Sequence, residues 1–321
     1  MRLFGALAIL ALLVLPGCMS QHVVIHIKPD GSGGIEFTKL ASGPVRMYLK
    51  NLRDGLAALK KAGQELPPNS EIPKGIKDLF SEEEGRKEAY RLGEDVTFVN
   101  WEPVSTDDYD GSINYYTFKD ITKLKIAEGP NLSQLNPKAD SGPVQYVTFK
   151  FDKQLDHSTL TAVFPSTGYK KTGDAAADAE GEARWQEREK NQDAASKKLL
   201  GEPGQAMTVP GSVPPEMIGV MKPYFQGTKL SLAVMPDGDL ISTNSPFVDD
   251  TKDKKGKKVT LFDLNFESLM SQDDILKKLM FKERNIESAK KYMKDLPGCK
   301  VNPESEIKID FKEHLATAPK P

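Results

Sequence analysis

A chain of 321 residues with 38% hydrophobic content is long enough to bury a sizeable core, as one large domain or about two smaller ones, and this excludes disorder throughout. Charged residues make up 28% and nearly cancel, to a formal net charge of -2, so no basic field exists to hold nucleic acid. Two cysteines, Cys18 and Cys299, cannot support a disulfide scaffold, and the fold must rest on its core.

Residues 1–18 fall into three zones: a basic start at Arg2, an uncharged apolar run from Leu3 to Leu15, and a short stretch ending at Cys18. This is signal-peptide grammar. The run is shorter than the roughly 20 residues that a membrane-crossing helix needs. The tetrad Leu15-Pro16-Gly17-Cys18 resembles the processing box of bacterial lipoprotein signals, with Pro16 where the family usually has a small residue. The resemblance implies removal of a signal peptide, 1–17, and a diacylglyceryl thioether with further acylation, such as palmitate, on Cys18. Only a thiolate can make that bond here. At ~0.8 kcal/mol per buried CH₂ one chain holds marginally, whereas two or three hold lastingly. The expected location is the cell envelope, bound to the membrane through Cys18. Met19 and Ser20 lack the Asp that commonly retains diderm lipoproteins at the inner membrane, which points to an outer membrane, facing the periplasm.

Beyond Cys18, His22 to Lys28 and Ile35 to Leu40 read as strands around the turn Pro29-Asp30-Gly31-Ser32-Gly33-Gly34. Leu49, Leu52, Leu56 and Leu59 recur at helical spacing, so an amphipathic helix is predicted from Ser42 to Gly63. Ser81 and Glu84 form a capping box for a second helix that stops at Gly93. Val96, Phe98 and the run Ile113 to Phe118 predict strands paired across Asp108-Tyr109-Asp110-Gly111. Two more strands are expected at Val144 to Phe151 and Leu160 to Phe164.

The stretch 166–200 is polar and helix-prone, with Trp185, Leu199 and Leu200 as its apolar handles, and reads as an exposed insertion. Pro203 to Pro215 is a linker. A short helix at Pro215 to Met221 is followed by a hairpin, Lys229 to Met235 and Leu240 to Thr243, around Pro236-Asp237-Gly238. Asp250 to Lys258 is a charged tip and Val259 to Phe266 a strand. A helix opening at Ser271 carries Ile275, Leu276, Leu279 and Met280, and another spans Ile286 to Met293. Ile307, Ile309 and Phe311 alternate with Glu306, Lys308 and Asp310, a half-buried closing strand.

Strand pairs interleaved with helices predict an α+β fold, an antiparallel or mixed sheet packed by helices with a polar helical insertion. The expected division is an N-terminal α+β module at 18–165, the insertion and linker at 166–214, a C-terminal segment at 215–313 completing the same fold, and a loose tail at 314–321.

Catalytic and metal signatures are absent from the sequence, and no cofactor is expected. Asp30-Gly31-Ser32-Gly33-Gly34 lacks the Gly-Lys-Ser/Thr ending of a phosphate loop and the Gly-x-Ser-x-Gly of an esterase elbow, so it reads as a hairpin turn. On one strand His22 and His26 would stand roughly 13 Å apart and could not share a metal ion. His157 and His314 are isolated. Asp107-Asp108, Asp249-Asp250 and Asp273-Asp274 sit where carboxylates cap or solvate turns. Lys254, Lys255, Lys257 and Lys258 are balanced by Asp249, Asp250 and Asp253. Cys299 reads as a small buried hydrophobe.

Asp30-Gly31-Ser32-Gly33, Tyr116-Thr117-Phe118-Lys119-Asp120-Ile121 and Pro297-Gly298 before the last strand resemble phrases of bacterial envelope lipoproteins of the LppM-like group. That resemblance implies a sheet-and-helix module that contacts lipids or envelope components and is not an enzyme. The expected function is a non-enzymatic binding or interaction domain held at the membrane, with a lipid or envelope protein as partner. The alternatives are a lipid or amphiphile carrier and a hydrolase with a dispersed active site.

Overall fold

The computed structural model describes residues 19–43, 80–127, 146–165, 227–251, 256–272 and 292–313, together with single residues between 46 and 63 and at 290. Among them are thirteen strands in two sheets and two α-helices described along their whole length, α1 (Glu82–Leu92) and α2 (Phe266–Met270). The expectation of a sheet packed by helices is therefore wrong: the described residues are mostly β. The reason lies in the core. One hydrophobic cluster joins Val23, Ile25, Phe37, Leu232 and Phe262 of one sheet to Val147, Phe149, Leu160, Ile307 and Phe311 of the other. Each sheet supplies the apolar cover that helices were expected to give. Of α1, only Gly85, Ala89 and Leu92 are buried.

The larger sheet runs β10 (Val248–Asp250), β11 (Lys257–Asn265), β8 (Lys229–Pro236), β1 (Met19–Ile27), β2 (Gly33–Ser42), β4 (Tyr109–Phe118), β3 (Thr97–Ser105), with β12 (Lys300–Val301) also on β11. The smaller runs β5 (Ile126–Ala127), β6 (Tyr146–Lys153), β7 (Ser158–Val163), β13 (Glu306–Lys312), β9 (Asp239–Thr243). All pairs named for these strands are antiparallel except β1 with β8. That parallel ladder joins the beginning of the described chain to its C-terminal part, Gln21 opposite Leu230 through to Ile27 opposite Pro236.

Alternation explains β1. Val23, Ile25 and Ile27 enter the core while His22, Val24 and His26 stay half-buried on the outer face. The β1–β2 hairpin forms where the turn residues predicted it. Gly31 has φ 85°, a value that favours glycine, and the Asp30 carboxylate accepts from the Ser32 amide at 2.9 Å and its hydroxyl at 2.7 Å. Ser81 caps α1 as expected, its hydroxyl accepting from the Glu84 amide at 3.4 Å. Ser271 is the C-terminal cap of α2; the helix expected to open there, with Ile275, Leu276, Leu279 and Met280, lies outside the described residues. So do Leu49, Leu52, Leu56 and Leu59, although the described residues from 46 to 58 are helical. The polar insertion and linker, 166–214, also lie outside them.

Candidate functional site

The ends of the strands form two poles. At one, β1 begins and β2 ends, beside the β3–β4 turn and the start of β8. At the other lie the β1–β2 turn, the β8–β9 turn, the β10–β11 loop and the β6–β7 tip. A cavity of about 330 Å³ opens at this second pole. His26 and Lys28 reach it from the end of β1, Gly33 and Gly34 from the start of β2, Met235 to Gly238 from the β8–β9 turn, and Thr251 and Gly256 from the β10–β11 loop. Backbone bonds hold these walls. The Asp237 amide donates to the Ile27 carbonyl at 2.7 Å, and the Thr251 amide to the Gly256 carbonyl at 3.0 Å. The Thr251 hydroxyl donates to the same carbonyl at 3.1 Å.

The lining mixes an exposed ammonium, Lys28, and an exposed carboxylate, Asp237, with an imidazole and four glycines. Two of those glycines are there for packing: a Cβ on Gly33 would stand 2.0 Å from the His26 carbonyl, and one on Gly238 2.1 Å from that of Lys312. The volume is at the small end for ligand sites, roughly 300–1,000 Å³, and its polar rim suits a small charged or hydrogen-bonding group better than an acyl chain.

A second polar feature crosses the outer face of the larger sheet. The parallel register sets His22 opposite Ser231, and the antiparallel one sets Ser231 opposite Asp263. His22 Nδ1 and the Ser231 hydroxyl are 2.8 Å apart. Burial lowers the imidazole below its ordinary 6.5, against the opposing pull of Asp263, with Lys229 and Lys258 adding to the lowering. Despite its composition this line is not a catalytic triad. The serine stands between the histidine and the aspartate, whereas acyl transfer needs the histidine between them. Ser231 also lies within β8, whose backbone is laddered on both sides by β1 and β11, so its amides are not free to stabilise an oxyanion.

The remaining sequence candidates separate. Leu15, Pro16, Gly17 and Cys18 lie outside the described residues, and Met19, bonded to Cys18, opens β1. His157 sits at the β6–β7 tip, its Nδ1 2.8 Å from Asp156; His314, Asp273 and Asp274 are outside the described residues. Asp107 and Asp108 are exposed in the β3–β4 turn. Asp249 pairs with Lys300 at 2.9 Å and Asp250 with Lys257 at 2.6 Å. Among the described residues no cluster of three or more His, Cys, Asp or Glu could hold a metal ion. Cys299 is half-buried; burial pushes its thiol up, away from thiolate chemistry. Lys28, Asp237 and Thr251 were not singled out by sequence, because only the β1–β8 and β8–β11 pairings join them and no local motif announces those.

No family model matches the chain. No curated protein matches it either. Among solved structures, the solution structure of the folded domain of Mycobacterium tuberculosis LppM is similar over 93% of this chain and 91% of that one, at 11% sequence identity and a TM-score of 0.28. The likeness to an LppM-like lipoprotein is thus distant, and a score so low does not establish a shared fold. No helix among the described residues is long and apolar enough to cross a membrane.

Proposed function

We propose that the chain is an envelope lipoprotein, tethered through lipid on Cys18, whose β domain is a non-enzymatic binding module with its site in the cavity between the β1–β2 turn and the β10–β11 loop. The observation that carries the binding reading is the convergence on one recess of His26 and Lys28 from the end of β1 and Asp237 from the β8–β9 turn, over a closed apolar core. Rigid strands with ligand-facing turns are a common way to place such groups. The recess takes a small polar group of an envelope component. Its size and rim favour this over an amphiphile carrier, and the order of His22, Ser231 and Asp263 gives no support to a hydrolase.

Purification of the full protein from detergent-solubilised membranes, as wild type and as Lys28→Glu, tests the reading. Mass spectrometry should find a component retained by the wild type and lost from the variant. An identical set of retained components in both would overturn the assignment of the site.

A further inference from the structure

Met19 pairs with Ala41 in β2, and Ala41 is fully buried. Ser20 is 4% exposed; its hydroxyl donates to the Gly227 carbonyl at 3.2 Å and accepts from the Lys229 amide at 3.0 Å. Cys18 is one peptide unit away, about 3.8 Å between Cα atoms. β1 is also the middle of the seven-strand path, with β8, β11 and β10 on one side and β2, β4 and β3 on the other.

Resting on the lipid-anchor reading above, we propose that the domain stands upright on its own bilayer, with the β1-start pole against the lipid headgroups and the cavity pole facing away. A tether of ordinary flexible residues would let the domain tumble; a tether of a single peptide unit, running into the central strand of a rigid sheet, does not. The pole that meets the headgroups carries the β3–β4 turn with exposed Asp107, exposed Lys229, and Met47, which is 66% exposed. Arg46 fastens this surface, donating to the Asp107 carbonyl and pairing with Asp110 at 3.3 Å. Its charges are mixed, so geometry rather than headgroup charge sets the contact. The nine residues of β1 at about 3.3 Å each lift the cavity roughly 30 Å from the anchor.

The test uses full-length protein processed in cells and reconstituted in phosphatidylethanolamine–phosphatidylglycerol vesicles. In a Cys299→Ser background, single cysteines replace Asp107, Lys229, Asp237 or Leu155, which is fully exposed at the β6–β7 tip, and carry a fluorophore, and the vesicles carry a headgroup-linked quencher. Labels at 107 and 229 should be quenched severalfold more than labels at 155 and 237. Equal or reversed quenching in vesicle-bound protein overturns the orientation and leaves the anchor intact. Failure to float with vesicles, with no acyl mass on Cys18, overturns the anchor reading and the orientation with it. Insertion of about a dozen Gly/Ser residues after Cys18 should keep flotation and abolish the difference; a difference that survives insertion also overturns the proposal.

Discussion

His22 is a residue whose environment dictates a measurable pH response. Burial holds its native value below the ordinary 6.5, so as pH falls the unfolded chain takes up the proton first. The native state therefore keeps its full stability above about pH 6.5 and loses it as the pH drops through that value toward the lowered one. Urea midpoints at pH 7.5 and 5.5 should differ less for His22→Gln than for the wild type; an unchanged difference would contradict the buried, neutral imidazole. Asp310 responds in the opposite range. Burial pushes its carboxyl up, but hydroxyls of Ser242 at 2.6 Å and Thr159 at 2.7 Å carry it below the usual carboxylate range. Its contribution is present above about pH 4 and is lost as pH falls through the lowered value. Asp310→Ala leaves both hydroxyls without that acceptor and should cost about 1–2 kcal/mol at neutral pH, read from denaturant unfolding.

At the scale of elements, the seat of α1 rests on a single small residue. A Cβ on Gly85 would stand 2.4 Å from Asn114 Oδ1 and 3.0 Å from the Phe98 ring, and the Gly85 carbonyl accepts from the buried Tyr116 hydroxyl at 3.0 Å. Gly85→Ala should lift the helix off β4 at a cost of about 1–3 kcal/mol, although alanine is the better helix former. Tyr116→Phe should cost about 1 kcal/mol through the lost hydrogen bond alone. Equilibrium unfolding measures both, and a neutral or stabilising Gly85→Ala would contradict the close approach. These elements were legible in sequence because their signals are local. Asp30 and Gly31 mark the first hairpin, Ser81 and Glu84 the helix start, and Ile307, Ile309 and Phe311 the last strand. The short helix α2 was not read from sequence; its cap is Asn265, whose side chain accepts from the Glu267 amide at 3.0 Å.

For the whole molecule, the decisive contacts are remote in sequence. The division into two sheets depends on β7 pairing with the distant β13, and on β8 lying parallel to β1. Alternating residues state which face is apolar but not which partner covers it, so a sheet covered by helices and a sheet covered by a second sheet read alike from sequence. The cavity was hidden for the same reason: Lys28 and Asp237 are neighbours only through that parallel ladder. The proposed tether is the reverse case, since the signal it rests on is wholly local, in Leu15 to Cys18. Cys18→Ser should shift the protein from the membrane to the soluble fraction on cell fractionation. The most direct measurement is the mass of the N-terminal peptide of the mature wild-type protein. A peptide beginning at Cys18 and carrying diacylglyceryl and acyl mass is the predicted result; an unmodified Cys18, or a chain cut elsewhere, would contradict the account.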